Sequence, residues 1–421
     1  MNRNMDDPNA YVTLSAGTAI FEEGEFGAVA YLIVAGRAAI FLRRDGIEVP
    51  LAERGAGEIV GEMALLDAGP RSASARAIAD CILVPVSEEQ IRHRLQQADP
   101  ILRLCLNVVM ACGRDAVALL NPNRAGAPRP AAPLSPELKA DFQASIAMMA
   151  MERALRLALD RNEFELFLQP IVRLGTETLA GFEALIRWRH PERGLVLPTS
   201  FIPAAESSGL IVEITEWVVS EVGRIMPAIV MAALQNPGAA DGPLFLTINV
   251  TGHDLARASF PEMVGEMLRT SGIAPSTLKL EITESTVMRD PAGATAALNQ
   301  CREAGMGIAI DDFGTGYSSL SYLSKLPITT LKVDRAFVRA MLTTSCNRKI
   351  IQTILRLADE IGIPVVAEGI EEAAEAAVLS EMGCAFGQGY HYGRPVPLAD
   401  TLALIKDWQP ASRPAARIAA A

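Results

Sequence analysis

The sequence of 421 residues lacks several features that would assign it to a familiar class. Its six cysteines form no CxxC pair, and with only four histidines it has no cluster of zinc-finger spacing. No uninterrupted apolar run reaches the roughly 18 residues that a membrane span needs. The first ten residues are polar and acidic, unlike a signal peptide. We therefore expect a cytoplasmic protein with reduced thiols, no zinc finger and no membrane segment.

The chain also lacks an excess of positive charge. It has 38 lysines and arginines against 49 aspartates and glutamates, a formal net charge of −11. Non-specific binding to nucleic acid depends on neutralising phosphates with Lys and Arg, so we expect no nucleic acid polymer as a partner. No DNA-recognition helix is evident after residue 120. A small anionic substrate is still compatible with this negative net charge, because bound divalent ions can supply positive charge locally.

What the sequence does contain is two regions of different pattern. Residues 121–137 are rich in proline and alanine without hydrophobic periodicity, which is typical of a linker between domains. Before it, short β-like runs separated by glycine predict an antiparallel sandwich or barrel, followed by helices. After it, eight apolar runs alternate with helical stretches, which predicts parallel strands in a (β/α)₈ barrel or a variant of it.

Each of the eight runs carries a polar or charged side chain at or near its end. Because the carboxyl ends of barrel strands face one side, these side chains should gather there. Gathered like charges repel unless they are compensated, and oxygen ligands without Cys or His favour Mg²⁺ or Mn²⁺. The residues are Gln169, Glu183, Arg187, Asn249, Glu281, Asp311, Asp312, Lys332, Asp334, Glu368 and Gln388.

These segments together resemble the EAL domain of bacterial cyclic di-GMP phosphodiesterases. The resemblance covers about residues 145–408 and is carried by "EAL" at 183–185 with Arg187, and by "EITES", "DDFGTGYSSL", "LKVD", "AEGIE" and "QGY". It implies hydrolysis of cyclic di-GMP to the linear dinucleotide pGpG, with two Mg²⁺ or Mn²⁺ ions in each active site. Two such ions would share Asp311 and activate a water.

The resemblance implies a role for each matching position. Lys332 matches the lysine that orients or deprotonates the attacking water. Neighbouring cations would make it easier for this lysine to lose its own proton. The alternative is that Lys332 is an ordinary surface lysine. The other roles are metal ligands (Glu183, Asn249, Glu281 and Asp311, with Asp312 and Asp334 near the second ion), catalytic carboxylates (Glu368 and Glu183), substrate binding (Gln169, Arg187 and Gln388) and an anchor for the "DDFGTGYSS" loop (Glu284).

A second motif, "GEMALLDAGPRSASA" at residues 61–75, lies in the N-terminal region. A helix N-terminus followed by an arginine can bind a phosphate. Taken alone, however, the acid or the arginine of this stretch would fit a capped turn with an exposed ion pair. The whole stretch resembles the phosphate-binding cassette of cyclic nucleotide-binding domains, over about residues 11–120. It implies a β-roll fold, with cyclic AMP favoured over cyclic GMP as the ligand. The implied binding residues are Gly61, Glu62, Ala64, Arg71, Ser72 and Ala73.

Three hypotheses follow from these two resemblances. The first is a cyclic di-GMP phosphodiesterase, a homodimer, whose activity is regulated by cyclic nucleotide binding to the N-terminal domain. The second is a non-catalytic receptor for cyclic di-GMP. The third makes the N-terminal domain a module for dimerisation or partner binding with an empty pocket. The predicted boundaries are 11–120 for the first domain, 121–137 for the linker and 145–408 for the second domain.

Overall fold

A computed structural model shows two compact units, residues 1–150 and residues 151–421. Most of the predicted linker lies outside the described residues, and the predicted domain boundaries stay predictions. The helix predicted to begin at Asp99 is described only in part, over residues 101–106 and 108–109. The structure describes residues 11–27, 29–44, 46–62, 70–87, 101–106, 108–109, 136–314 and 325–410.

The N-terminal unit contains two antiparallel four-stranded sheets, in the orders β1-β8-β3-β6 and β2-β7-β4-β5. Buried side chains such as Ile33, Val60 and Leu83 form its core. This architecture confirms the predicted β-roll. The strands are β1 (Val12–Leu14), β2 (Ala19–Phe21), β3 (Val29–Ala35), β4 (Arg37–Arg44), β5 (Ile47–Gly55), β6 (Ile59–Val60), β7 (Ser74–Ala77) and β8 (Cys81–Ser87).

The second unit is a closed barrel, which confirms the predicted fold class. All eight predicted runs form strands, and the pairing of the first with the second closes the sheet. Two short strands pair with the hairpin as well, β11 with β10 and β18 with β9. The strands are β9 (Phe164–Arg173), β10 (Thr178–His190), β11 (Gly194–Val196), β12 (Phe245–Asn249), β13 (Leu278–Thr283), β14 (Gly307–Phe313), β15 (Thr330–Val333), β16 (Val365–Ala367), β17 (Phe386–Gln388) and β18 (Val396–Pro397).

Helices connect the parallel strands, and their apolar faces join the outward side chains of the strands in one core. Proline begins several helices, as at Pro136 and Pro291, because its fixed φ suits the first turn and its missing N–H is not needed there. The helices are α1 (Pro136–Asp160), α2 (Ile202–Ser208), α3 (Ile211–Gln235), α4 (Gly252–Leu255), α5 (Phe260–Ser271), α6 (Glu284–Arg289), α7 (Pro291–Glu303), α8 (Arg335–Ala340), α9 (Ser345–Glu360), α10 (Ala373–Glu381) and α11 (Leu398–Asp407).

Strand β9 corrects the expectation of parallel strands throughout. It runs antiparallel to both of its neighbours, β10 and β17. Only four residues, 174–177, join it to β10. A parallel connection needs a crossover of about a dozen residues or more, so this short link forms a hairpin instead. The barrel is therefore a variant with seven parallel strands and one antiparallel strand.

Helix α3 is the one helix in the described residues with the length and apolar composition of a membrane span. Of its apolar stretch, 44% is buried inside the protein. Ile214, Val222 and Ile229 on this helix belong to the core of the barrel unit. A long amphipathic helix packed on a barrel needs such an apolar face, so its packing accounts for its composition.

Candidate active site

Four carboxylates meet around the ammonium group of Lys332. The lysine lies on β15 and its side chain is 1% exposed. Its Nζ is 2.9 Å from Glu281, 2.5 Å from Glu368, 3.3 Å from Asp311 and 3.5 Å from Glu183. The acids come from β10, β13, β14 and the residue after β16. Residues far apart in sequence thus converge at one end of the barrel.

Three amide side chains hold Glu183 and its surroundings in place. Asn249 Nδ2 donates to Glu183 Oε1 at 3.0 Å, and Gln388 Nε2 donates to Glu183 Oε2 at 2.6 Å. The same Gln388 nitrogen donates to Gln169 Oε1 at 3.0 Å. Gln169 in turn donates to the carbonyl of Gly393 at 3.3 Å. Both carboxylate oxygens of Glu183 therefore have a fixed orientation.

The prediction that these side chains lie at strand ends holds for some strands and fails for others. Asn249 and Gln388 end their strands, and Glu368 follows its strand directly. Glu183 instead lies inside β10, which continues for seven residues to His190. Gln169 pairs with Glu183 in the middle of β9. Strands β9 and β10 are longer than the other barrel strands. The far end of β10 pairs with β11.

A β-bulge brings Asp311 and Asp312 to the same site. Consecutive strand residues normally point to opposite faces. Here the register between β14 and β15 shifts between Ile310 and Phe313, and Asp312 has a φ of 53°. The extra residue of such a bulge turns the strand locally. Oxygens of Asp311, Asp312 and Glu368 consequently lie within 4.8 Å of one another.

The charges in the pocket act strongly on each other. Burial by itself would lower the pKa of Lys332, but the surrounding carboxylates, Glu183 first, hold its pKa well above the usual range. Burial would raise the pKa of Glu183, whereas Lys332 and the hydrogen bonds from Gln388 and Asn249 hold it below its usual value. Among these carboxylates Lys332 is thus a firmly charged ammonium group.

The remaining acids are short of positive charge. Burial, reinforced by Glu183 and Asp311, raises the pKa of Glu281 well above its usual value. Burial and the same two neighbours raise the pKa of Glu368 to about 8. The pKa of Asp312 rises to about 6, again through burial first and then Asp311 and Asp334. A single lysine therefore does not compensate the whole cluster.

The donor set fits divalent cations of the hard type. Glu281 Oε1 and Asp311 Oδ1 are buried oxygens without a hydrogen-bond donor. Asp311 Oδ1 lies 3.3 Å from Lys332 Nζ but not in hydrogen-bonding geometry. Unpaired buried carboxylate oxygens are costly unless a cation or a donor satisfies them. Carboxylate oxygens without sulfur or imidazole suit Mg²⁺ and Mn²⁺.

Two further residues of the predicted set lie at the N-termini of helices. Asp334 Oδ1 accepts a hydrogen bond of 2.8 Å from Ala336 N and so caps α8, while the same side chain acts on Asp312. Glu284 is the first residue of α6. Part of the loop that Glu284 was predicted to anchor, residues 315–324, lies outside the described residues, so that role stays a prediction.

Arg187 lies beside the pocket and is 9% exposed. Its Nη1 donates to the carbonyl of Ile186 at 2.9 Å, and its guanidinium lies 5.7 Å from the ring centre of Phe167. Burial lowers its pKa, while Glu183 and Tyr390 act in the opposite direction. Sequence reasoning gave Phe167 and Tyr390 no role. The sequence did contain one indication for Phe167. It lies two residues before Gln169, and residues two apart in a strand share a face.

The N-terminal unit buries the side chain of Arg71 against backbone carbonyls and an aromatic ring. The side chain is 5% exposed, and its Nη1 and Nη2 donate to the carbonyls of Gly61 and Val29 at 2.8 and 2.5 Å. Its guanidinium carbon lies 4.2 Å from the ring centre of Phe21. Burial lowers its pKa. Gly61 has a φ of 86°, and a Cβ there would clash with the guanidinium.

The other predicted nucleotide-binding residues are placed in part. Glu62 is close enough to Arg71 to oppose the fall of its pKa. Ala73 is buried, and Ser72 lies between it and Arg71. Ala64 lies outside the described residues. The structure thus brings Gly61, Glu62 and Arg71 together, as the sequence motif implied.

Two family profiles match the chain. The EAL domain profile matches residues 152–395, and the cyclic nucleotide-binding domain profile matches residues 11–98. The chain therefore belongs to the EAL domain family and carries an N-terminal cyclic nucleotide-binding domain.

Among curated proteins, the chain is similar to two from Pseudomonas aeruginosa. The bifunctional diguanylate cyclase/cyclic di-GMP phosphodiesterase MucR is 39% identical over 269 residues, which are 63% of this chain and 38% of MucR. The cyclic di-GMP phosphodiesterase NbdA is 38% identical over 251 residues, 60% of this chain and 31% of NbdA. The chain thus spans less than half the length of these relatives.

Among solved structures, the chain is similar to the EAL enzyme Bd1971 in its cAMP-bound form. The identity is 36%, the TM-score is 0.76, and the match covers 94% of this chain and all of that one. A cGMP-bound form of the same enzyme matches with a TM-score of 0.75 and the same coverage. The phosphodiesterase of PaMucR in complex with c-di-GMP is 38% identical, with a TM-score of 0.54, over 60% of this chain and 99% of that one.

Proposed function

We propose that this protein is a phosphodiesterase that hydrolyses cyclic di-GMP to pGpG. The observation that supports it most is the convergence of four carboxylates on Lys332 at one end of the barrel. Active sites of barrel enzymes lie at the carboxyl ends of their strands. The similarity to MucR and NbdA, whose names include this activity, supports the same conclusion.

Two divalent ions, Mg²⁺ or Mn²⁺, complete the site in this proposal. Glu183, Asn249, Glu281 and Asp311 would hold the first ion. Asp311, Asp312 and Asp334, with Glu368 nearby, would hold the second ion. When bound, such ions lower the pKa of a water and neutralise charge on the phosphate during an in-line displacement.

The protein side chains have distinct tasks around the substrate. Arg187 keeps N–H groups beyond the one bound to Ile186, and these donate to a substrate phosphate. Gln388 and Gln169 hold Glu183 in orientation, because outer hydrogen bonds fix the geometry of ligands. Lys332 would orient the attacking water or, once neutral, take its proton. The surrounding carboxylates hold its pKa high, and positive charge beside them would lower that pKa toward the range of a base.

A hydrolysis assay tests this function directly. Cyclic di-GMP is incubated with the whole chain in Mg²⁺, Mn²⁺ or EDTA, and pGpG is quantified by chromatography. We expect turnover with either metal and none in EDTA. Glu183→Ala should lose more than the roughly 10–100-fold that outer hydrogen bonds contribute. Glu303→Ala, on the surface of α7, is the matched control. Binding without turnover in the unaltered protein would support the receptor hypothesis instead.

We propose further that cyclic AMP, with cyclic GMP as the alternative ligand, binds at Arg71 and changes the rate of hydrolysis. The similar enzyme Bd1971 has been solved with either nucleotide, which leaves the choice between them open. Regulation requires that the nucleotide bind two states of the protein with different affinity. A titration of the hydrolysis rate with each nucleotide tests this. An unchanged rate at saturation would refute regulation and leave catalysis intact.

The state of assembly and the location of the protein also stay predictions. We expect a homodimer, and sedimentation of the whole chain with and without cyclic AMP tests it. A monomer under both conditions would contradict the expectation. We expect the protein in the cytoplasm, which fractionation of cells with an antibody to the chain would check.

A further inference from the structure

The amino-terminal end of the barrel contains a lysine that the proposed chemistry does not use. Lys279 is the second residue of β13 and lies two residues before Glu281, so both side chains point to the same face of the strand. Its Nζ lies 3.8 Å from the ring centre of Phe245 and donates to Thr330 Oγ1 at 3.2 Å. The side chain of Lys279 therefore lies inside the barrel, on the amino-terminal side of the acid cluster.

A second cation, Arg173 at the end of β9, approaches the same place. Its guanidinium carbon lies 5.0 Å from the ring centre of Phe386, and Lys279 Nζ lies 5.7 Å from the same ring centre. The rings of Phe386 and Phe245 pack edge to face with their centres 6.1 Å apart. Arg173 also repels the charge of Lys279, so the two cations are neighbours. Two aromatic rings thus seat two like charges side by side.

Neither cation has a close counter-ion of its own. Among the residues that the structure describes, Lys279 donates to a hydroxyl and makes no direct ion pair, and Glu281 acts on it only at longer range. Arg173 Nε is 4.0 Å from Asp241 Oδ2, and that oxygen already accepts hydrogen bonds from two threonine hydroxyls. Cations that are partly withdrawn from water are costly unless an anion compensates them.

The neighbouring strands leave room for this arrangement. A Cβ at Gly307 would lie 2.7 Å from Lys279 Cγ, and a Cβ at Gly181 would lie 2.7 Å from the ring of Phe245. Gly307 pairs in register with Lys279, and Gly181 with Phe245. Glycine weakens a strand and often marks a close approach. Two side chains are therefore missing where the lysine and the ring need the space.

An unsatisfied hydroxyl lies on the strand beside Lys279. Thr247 of β12 pairs in register with Lys279, and it lies two residues after Phe245, so its side chain also points into the barrel. Thr247 is 2% exposed, and its Oγ1 has no hydrogen-bond partner among the described residues. Buried polar atoms normally have one. An oxyanion beside the cations, with its bound water, would satisfy this hydroxyl.

We propose that Arg173 and Lys279 bind a small oxyanion of the phosphate type at the amino-terminal end of the barrel. Arginine supplies a planar fork of N–H donors and lysine a compact charge with N–H groups to spare, and both suit phosphate oxygens. The ligand is inorganic phosphate or the phosphoryl group of a small metabolite, which offer the same chemistry. The site needs no metal ion and does not rest on the proposed phosphodiesterase function.

Calorimetric titration of the whole chain at pH 7 tests the site, with sodium phosphate in one arm and glycerol 1-phosphate in the other. EDTA is present so that no metal brings phosphate to the acid cluster, and all proteins carry Arg71→Ala to remove the other proposed phosphate contact. Lys279→Met and Arg173→Gln should each raise Kd about 10- to 150-fold, the equivalent of one hydrogen bond to a charged group. The arm with the lower Kd identifies the source of the oxyanion.

Matched controls separate this site from general attraction of anions. Lys349→Met and Arg224→Gln remove exposed cations from helices and should leave Kd unchanged. The side chain of Arg173 is 45% exposed, so Arg173→Gln tests the site even where Lys279→Met does not fold. The absence of saturable binding in both arms, or a Kd that neither Lys279→Met nor Arg173→Gln changes, would overturn the proposal. So would heat effects that sodium chloride of equal ionic strength reproduces, since these indicate screening.

Discussion

At Lys332 a single ammonium group, itself 1% exposed, faces four carboxylates. This lysine is the main positive charge among them, and divalent ions would add to its compensation in the proposed enzyme. A buried ion cluster is fragile because removing one partner leaves the others uncompensated. The side chain therefore has a structural task as well as a chemical one.

Replacement of this lysine should affect stability and not activity alone. We expect Lys332→Met to lower the free energy of unfolding by about 3–5 kcal/mol in EDTA at pH 8, the usual cost of breaking a buried ion pair. Saturating Mg²⁺ should restore part of that loss through binding to the native state. Urea titrations with and without metal measure both quantities. Lys349→Met, on the exposed face of α9, is the control, and equal stability of the two variants would contradict the prediction.

Gln388 offers a second prediction at the scale of single residues. Its amide donates hydrogen bonds to both Glu183 and Gln169. An amide is neither a nucleophile nor a general acid or base, so its role is to position these side chains. We expect Gln388→Ala to lower kcat/KM about 10–100-fold and to raise the Mg²⁺ concentration needed for half-maximal rate, as for other outer hydrogen bonds to metal ligands. Gln300→Ala, at an exposed position of α7, should leave both values unchanged. A metal requirement unaltered by Gln388→Ala would refute the positioning role.

At the scale of elements, the bulge in β14 has the largest consequence for the site. A regular strand would turn one of Asp311 and Asp312 away from the pocket. The left-handed backbone of Asp312, with a φ of 53°, is the conformation that turns the strand at this point. Such backbone strain outside glycine is uncommon and tends to lie at functional sites.

The strain at Asp312 can be isolated with a pair of substitutions that both remove the carboxylate. Asp312→Ala should be less stable than Asp312→Gly by about 1–2 kcal/mol, because only the alanine carries a Cβ into the left-handed region. Urea unfolding in EDTA measures the difference. At Gln352, on the regular helix α9, the same pair should show the opposite order by about 1 kcal/mol. The same order at both positions would show that the backbone of Asp312 is unstrained.

At the scale of the whole molecule, the chain contains two units with separate hydrophobic cores. Separate cores unfold as separate cooperative transitions unless a large interface couples them. A ligand stabilises only the unit that binds it, by an amount set by its concentration relative to Kd. The two proposed ligands can therefore be distinguished in one experiment on the intact protein.

Scanning calorimetry of the whole chain should resolve two transitions. Cyclic AMP at 100 times its Kd should stabilise the N-terminal unit by about 2.7 kcal/mol. Mg²⁺ should raise the transition of the barrel instead. Arg71→Ala should abolish the first shift and leave the second, whereas Arg37→Ala, on the exposed surface of β4, should retain both. A cyclic AMP response that survives loss of Arg71 would place the nucleotide elsewhere.

Much of the fold could be predicted from periodicity and turn residues. All eight apolar runs of the C-terminal region became barrel strands, and the glycine-punctuated runs of the N-terminal region became two antiparallel sheets. The direction of β9 could not be predicted from the same pattern. An apolar run is compatible with either direction, and only the four-residue link to β10 excludes a crossover.

The candidate site was predictable as a set of residues but not as an arrangement. Side-chain type and resemblance selected Glu183, Glu281 and Lys332, which are separated by up to 149 positions in sequence. They did not reveal that Lys332 contacts all the acids at once, or that the register shift at Asp312 adds a carboxylate to the cluster. The approach of two cations to the ring of Phe386 depends on barrel closure, which local sequence does not contain.

By itself, the sequence determined the family, the two domains and the chemical types at the site, because composition, periodicity and motif spacing are local properties of the chain. Only the tertiary structure decided which atoms meet: the bulge at Asp312, the acids around Lys332 and the cations beside Phe386. Those features follow from strand register and barrel closure, in which each contact depends on residues that are distant in sequence.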